Sequence, residues 1–210
     1  KQVLALSTDK ACSPINLYGS TKLCADKLFT SAQNIVGDKK LKFSLVRYGN
    51  VFNSRGSVLP LFLKQSNGIF PITHKSMTRF MITLEEAVNF VIKCLNIMRG
   101  GETFVPKLPS FKVEDIAKAI NPKCKFKYIG VRPGEKIHEE LINKYEAANT
   151  FDQKDYYIVT PNNYIDSSIM YKKNEFRKVE KNFYLDSFNN KRYLSVNNIK
   201  NLIEKIDKRS

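Results

Sequence analysis

Residues 5–29 read A-L-S-T-D-K-A-C-S-P-I-N-L-Y-G-S-T-K-L-C-A-D-K-L-F. The apolar run Gln2 to Ser7 predicts a short buried strand that ends on the polar cluster Thr8, Asp9 and Lys10. From Tyr18 to Phe29, Leu23, Leu28 and Phe29 recur among Ala25, Asp26 and Lys27, which predicts a helix. Tyr18 and Lys22 are then stacked neighbours on one helix face, because residues four apart lie over one another. In open α/β sheets catalytic groups gather at such carboxyl ends of strands. An ammonium held beside a phenol stabilises the phenolate, so this pair has the makings of a general base.

Downstream, a turn at Gly37, Asp38, Lys39 and Lys40 leads into Lys42 to Tyr48, K-F-S-L-V-R-Y, a second core strand. It ends at Gly49, Asn50 and Val51. Asn53 to Pro60 is a polar loop containing Gly56, placing Arg55, Ser57 and backbone amides where a phosphate or a uracil could be met, and it runs into an apolar helix at Leu61 to Gln65. Arg79 precedes the strand-like F-M-I. Thr83 and Glu86 then have capping-box spacing, with Ala87, Phe90, Val91, Cys94 and Leu95 on one helix face and Gly100 and Gly101 at its end. Gly101 to Pro106 is read as the last sheet strand, and Val113 to Ile120 as a short helix with Glu114 and Asp115 in its first turn. The last sixty residues, rich in Lys, Asn and Tyr, read as a periphery ending in a helix from Val196 to Lys208.

With 210 residues and 42% hydrophobic content the chain can bury a sizeable core and is not of disordered composition. The longest apolar runs are too short to span a bilayer and no leader opens the chain, so a soluble, cytoplasmic protein without membrane association is expected. The net charge of +15 raises nucleic-acid binding. Its source is 27 Lys against 8 Arg, dispersed along the chain, and this pattern suits a solvated surface, so no nucleic-acid partner is expected. Cys12, Cys24, Cys94 and Cys124 form no C-x-x-C pair and have no His at metal-ligand spacing. They read as reduced thiols, with no metal site.

The string S-T-D-K-x-x-x-P-x-x-x-Y-x-x-x-K resembles the extended short-chain dehydrogenase/reductase family. Over residues 5–29 it is similar to the inverting UDP-N-acetylglucosamine 4,6-dehydratases within that family. The resemblance implies a Rossmann-like doubly wound parallel sheet formed by residues 1–50 and 77–105, with a smaller α+β substrate lobe formed by 51–76 and 106–210. It also implies a cofactor, NADP, held in part by Tyr18 and Lys22. No G-x-G-x-x-G follows a strand here, although such a cofactor site needs those glycines for close approach to the pyrophosphate. That motif is therefore expected upstream of Lys1, making the chain an N-terminally truncated piece that binds cofactor poorly.

For the reaction, the resemblance implies Tyr18 as the base for the sugar C4 hydroxyl, assisted by Lys22. Thr8 steadies the sugar oxygen in preference to Ser7, which strand alternation points the other way. Asp9 is implied as the acid for the departing C6 hydroxyl, and Lys10 as the base for the C5 proton. These roles need Asp9 protonated and Lys10 neutral; desolvation favours both states, and an ion pair between the two opposes both. Asp9-Lys10 in place of Asp-Glu implies inversion at C5, and Tyr18 in place of Met implies the branch leading to pseudaminic acid. Arg132, in the R-P-G-E-K run 132–136, is implied to reach the substrate diphosphate, for which its planar fork is suited. Asn50, Arg55, Ser57 and Arg79 complete the expected substrate-binding set. A nucleotide-sugar substrate and a homo-oligomer are expected, and a basic field would attract such a substrate. Two rivals remain: an epimerase of the same family, which has no use for Asp9 and Lys10, and a non-catalytic nucleotide-sugar or nucleic-acid binder. His74 and His138 receive no role.

Overall fold

The computed structural model describes residues 1–36, 39–161 and 176–207. Gly37 and Asp38 of the expected turn, and Lys208 at the end of the expected last helix, lie outside them. The chain divides into two compact units. Unit 1 comprises Lys1–Tyr48, Glu85–Lys107 and Glu140–Asp186; unit 2 comprises Gly49–Leu84, Leu108–Glu139 and Ser187–Ser210.

Unit 1 is built on strand β1 (Gln2–Thr8), followed by helix α1 (Leu17–Ile35) and strand β2 (Lys42–Tyr48). β1 and β2 pair in parallel from Gln2↔Lys42 to Thr8↔Tyr48. β2 in turn pairs in parallel with β6 (Thr103–Pro106) through Leu45↔Thr103 and Val46↔Phe104. This is the α/β arrangement with parallel strands that the family resemblance implies. Helix α3 (Leu84–Ile97) begins right after Thr83 and places Phe90, Val91, Cys94 and Leu95 against Val46, Met98, Phe104 and Ile158. Ala87 is buried as well. Burial pushes the Cys94 thiol up to about 12, and all four cysteines are free.

β6 is an interior strand, where the sequence predicts the last one. It pairs antiparallel with β11 (Tyr156–Val159), and the sheet continues antiparallel through β10 (Thr150–Asp152) and β12 (Arg177–Lys178). Strands β10, β11 and β12 therefore extend the parallel sheet instead of forming the periphery of the second lobe. Tyr156 stacks edge-on against Phe90, with ring centroids 6.0 Å apart, which adds apolar burial to the backbone ladder. A two-stranded ribbon of β9 (Glu140–Ile142) and β13 (Leu185–Asp186) completes the unit.

The turn between α3 and β6 depends on one buried acid. Glu102 is fully buried and its carboxylate accepts from Arg99 N–H and Gly100 N–H, both at 2.7 Å, and from Ser44 Oγ at 2.6 Å. Gly100 and Gly101 both have positive φ, +119° and +87°, so this turn needs residues without a β-carbon. Glu102→Ala removes three charge-assisted bonds and leaves buried donors unpaired. It is expected to destabilise the protein by about 3 kcal/mol, read from the urea midpoint of unfolding.

Unit 2 holds β3 (Asn50–Val51), β5 (Thr78–Ile82) and β7 (Ser110–Lys112) in one small sheet and β4 (Ile69–Ile72) with β8 (Lys125–Tyr128) in another. Its helices are α2 (Val58–Leu63), α4 (Val113–Ile120) and α5 (Val196–Asp207). Phe62, Phe70, Ile72, Ile116, Ile199 and Ile203 form its core, with Phe62 and Phe70 in a T-shaped contact at 5.1 Å. The pairing of β5 with β3 and β7 explains why residues 77–84 belong here and not with the parallel sheet. Among the described residues no helix is long and apolar enough to cross a membrane.

Candidate active site

β1 ends at Thr8, and Asp9–Ala11 form a single 3-10 turn capped by Thr8, whose Oγ1 accepts from Lys10 N–H at 3.4 Å. Alternation along β1 separates the two hydroxyls as expected. Ser7 is buried and donates to Asp26 Oδ2 at 2.7 Å, whereas Thr8 Oγ1 donates to Asp9 Oδ1 at 3.0 Å. Asp9 is fully buried, and Lys10 Nζ sits 3.1 Å from the same Oδ1. The other oxygen, Asp9 Oδ2, is buried with no hydrogen-bond partner among the described residues. A buried unpaired acceptor is uncommon and marks a position where a ligand or a proton is to be received.

Helix α1 starts on Asn16, whose side chain accepts from Gly19 N–H at 2.8 Å. Gly19 is where the helix touches the turn: a β-carbon there would overlap the Lys10 carbonyl oxygen and come within 2.9 Å of Pro14 Cβ. Only glycine lets the first turn of α1, carrying Tyr18, lie directly against Asp9–Ala11. Tyr18 is 56% exposed, so its phenol is open to a ligand, and Lys22 Nζ donates to the Leu6 carbonyl at 3.4 Å. Thr8, Asp9, Lys10, Tyr18 and Lys22 are thus gathered at the carboxyl end of β1.

Beneath them lies a buried ionic network that the sequence reading missed. Arg47, paired across from Ser7 in the β1–β2 register, places Nη2 3.5 Å from Asp26 Oδ2 and Nη1 3.0 Å from Glu146 Oε1. Nη1 also donates to the Leu141 carbonyl at 3.0 Å, and the Cys12 thiol donates to Glu146 Oε2 at 3.8 Å. Burial pushes the Asp26 carboxyl above its ordinary value, against the Ser7 hydrogen bond and the charges of Arg47 and Lys22. Burial works to lower Arg47, but the carboxylates of Glu146 and Asp26 outweigh it and hold the guanidinium above its ordinary value. An arginine inside the core strand K-F-S-L-V-R-Y signals such partners; which partners they are it does not say.

The expected substrate-binding residues all belong to unit 2. Asn50 stands on β3, opposite Met81 of β5, and its Oδ1 is buried without a hydrogen-bond partner among the described residues. Ser57 precedes α2 without a side-chain capping bond, and its Oγ is likewise buried and unpaired among the described residues. Arg55 is exposed in the turn between them, beside Gly56 at φ +78°. Arg132 is exposed at the first position of a turn closed by Glu135 N–H to the Arg132 carbonyl at 3.0 Å. Arg79, by contrast, is nearly buried and engaged with Glu135 and Glu139. Among the described residues no cluster of His, Cys, Asp and Glu is placed to hold a metal ion.

Known proteins are similar to this chain. A Campylobacter jejuni protein named UDP-N-acetylglucosamine 4,6-dehydratase (inverting) is 44% identical over 97% of this chain and 63% of its own length. A Rickettsia bellii protein named UDP-glucose 4-epimerase is 41% identical over 74% of this chain and 48% of its own. A solved structure, Pen from Bacillus thuringiensis, superposes with a TM-score of 0.81 and 35% identity over 98% of this chain and 62% of that one. The chain thus spans between about half and two thirds of the length of these relatives. Residues 1–161, which include every residue of the β1–α1 site and the network beneath it, match the family described as polysaccharide biosynthesis protein, and to that family the chain belongs.

Proposed function

We propose that this chain is the part of an inverting UDP-N-acetylglucosamine 4,6-dehydratase that carries the acid–base chemistry, with unit 1 as the nucleotide-binding side and unit 2 as the substrate lobe. The observation that carries this reading is the Asp9–Lys10 ion pair at the foot of the Tyr18–Lys22 helix. An epimerase needs only the Tyr and Lys; the added acid and base suit an elimination.

A nicotinamide fits the residues present, since Lys22 and the exposed Tyr18 stand at the carboxyl end of a parallel strand, where Lys22 would hold the ribose. When bound, it supplies the reversible oxidation and reduction of the sugar carbons, and NADP is the form the family resemblance favours. Tyr18 takes the proton of the C4 hydroxyl, with the Lys22 ammonium stabilising the phenolate. The C4 ketone so formed acidifies the C5 proton, which the Lys10 amine removes, while the Asp9 carboxylic acid protonates the leaving C6 hydroxyl as water.

Both groups reach those states by one event: transfer of a proton from Lys10 Nζ to Asp9, across a contact of 3.1 Å. Expulsion of water when substrate covers the site favours the neutral pair over the charged one. The transferred proton arrives on Oδ1, the oxygen that Lys10 contacts, and passes from there to the leaving hydroxyl, while the unpaired Oδ2 stays open to accept from a substrate hydroxyl. Elimination then protonates Lys10 and deprotonates Asp9, which restores the ion pair for the next turnover. Arg132 and Arg55 supply the positive charge for the diphosphate, and Asn50 and Ser57 their unpaired polar atoms for the rest of the ligand.

In heavy water the full-length protein is expected to convert UDP-N-acetylglucosamine to a 4-keto-6-deoxy sugar that carries deuterium at C5 with inverted configuration, read by NMR. Recovery of an epimerised hexose alone would overturn the dehydratase reading in favour of the epimerase.

A further inference from the structure

We infer that Arg79 is a positioning residue for diphosphate binding, holding through Glu135 the turn that presents Arg132; this rests on the proposed nucleotide-sugar site. A lone arginine before a strand of this kind reads at first as a phosphate ligand. Its surroundings point elsewhere.

The Arg79 side chain is only 11% exposed, and all three of its nitrogens face acceptors within unit 2. Nη1 donates to the carbonyls of Thr78 at 2.7 Å and Ile137 at 3.0 Å. Nη2 lies 3.5 Å from Glu135 Oε1, and Nε lies 3.9 Å from Glu139 Oε1. An incoming diphosphate would have to displace two carboxylates of its own sign and break two carbonyl bonds, which like-charge repulsion and burial both oppose.

What Arg79 grips is the loop that carries Arg132. Arg132, Pro133, Gly134 and Glu135 form a β-turn with proline second and glycine third, Gly134 at φ +75°, the signature of a type II turn. Glu135, its last residue, is the one bound to Arg79. The following residues are stapled to β5 as well: Thr78 N–H donates to the Ile137 carbonyl at 3.1 Å, and Thr78 Oγ1 lies 2.8 Å from His138 Nδ1. Ser187 closes the far end, since Glu139 N–H donates to its Oγ at 3.0 Å. Arg132 is therefore exposed on a turn whose carboxyl-terminal arm is fixed, so less ordering entropy is lost when it meets an anion.

The test is calorimetric binding of UDP to the full-length protein, with Glu135→Gln as the main variant because it is nearly isosteric and spares the fold. Glu135→Gln is expected to weaken UDP binding about fivefold, the scale of coupling between neighbouring residues, and to raise KM while leaving kcat unchanged. In an Arg132→Ala background the same change is expected to cost nothing further, because Glu135 acts through Arg132. Arg79→Met with Glu135→Gln is expected to be no worse than Arg79→Met alone. Unchanged or tighter UDP binding by Glu135→Gln, or full additivity with Arg132→Ala, would overturn the inference and return Arg79 to direct phosphate contact. Failure of the wild-type protein to bind UDP would instead remove the proposed function, and the inference with it.

Discussion

Full-length protein carrying Lys10→Ala is expected to oxidise its substrate at C4 and stop there, showing the absorbance of reduced nicotinamide but no 4-keto-6-deoxy product. The geometry separates the two half-reactions. Tyr18 and Lys22 lie on α1, whereas Lys10 lies on the 3-10 turn before it, and the contact that joins them is the backbone of Lys10 against Gly19. Removing the Lys10 side chain therefore leaves the phenol and its ammonium in place. It deletes the base for C5 and also the proton donor for Asp9. General acid–base groups contribute about 10²–10⁴-fold each, so product formation should fall by at least that factor. Tyr18→Phe is expected to fall as far but with no reduced nicotinamide, because the C4 hydroxyl then keeps its proton. Product formed by Lys10→Ala at the wild-type rate would exclude Lys10 as the C5 base.

The largest loss of stability is expected from Arg47→Met. The guanidinium is 4% exposed and serves Asp26, Glu146 and the Leu141 carbonyl together. Methionine fills much of the space but leaves the buried Asp26 and the partly buried Glu146 without their guanidinium partner, and breaking a buried ion pair from one side costs about 3–5 kcal/mol. For a protein of this size that corresponds to a fall in Tm of about 10 °C, read by thermal unfolding. The penalty comes mostly from the stranded charges, so adding Asp26→Asn and Glu146→Gln should recover part of it. A fall of under about 1 kcal/mol would mean that water reaches the network and that its charges are screened.

Arg47 and Gly19 also show where sequence reasoning stops. The proposed reactive residues are readable because they are local: Thr8, Asp9 and Lys10 are consecutive, and Tyr18 and Lys22 need only one helical turn to face the same way. Gly19 carried a usable signal, since glycine inside a predicted helix costs about 1 kcal/mol against alanine and so marks a close approach. Its partner, the Lys10 carbonyl, was not deducible. The link from Arg47 to Glu146 spans 99 residues, and no periodicity in either segment points to the other. Arg79 is the reverse case: its residue type suggests an anion ligand, whereas its contacts with Glu135 and Glu139 are what support the proposed role of holding a loop.

The same division runs through the fold. The apolar runs and helix periodicities of residues 1–48 and 84–106 determine a parallel α/β sheet, because burying a two-sided strand requires helices over it. The antiparallel extension through Thr150–Asp152 and Tyr156–Val159 was decided by tertiary structure alone. Those strands are three and four residues long, too short for a pattern to speak, and they exist because β6 offers them an unpaired backbone edge. The amino-acid sequence by itself determined which side chains are candidates for the chemistry; the packed structure decided which charged groups, such as Arg47 and Arg79, are engaged by buried or nearly buried partners.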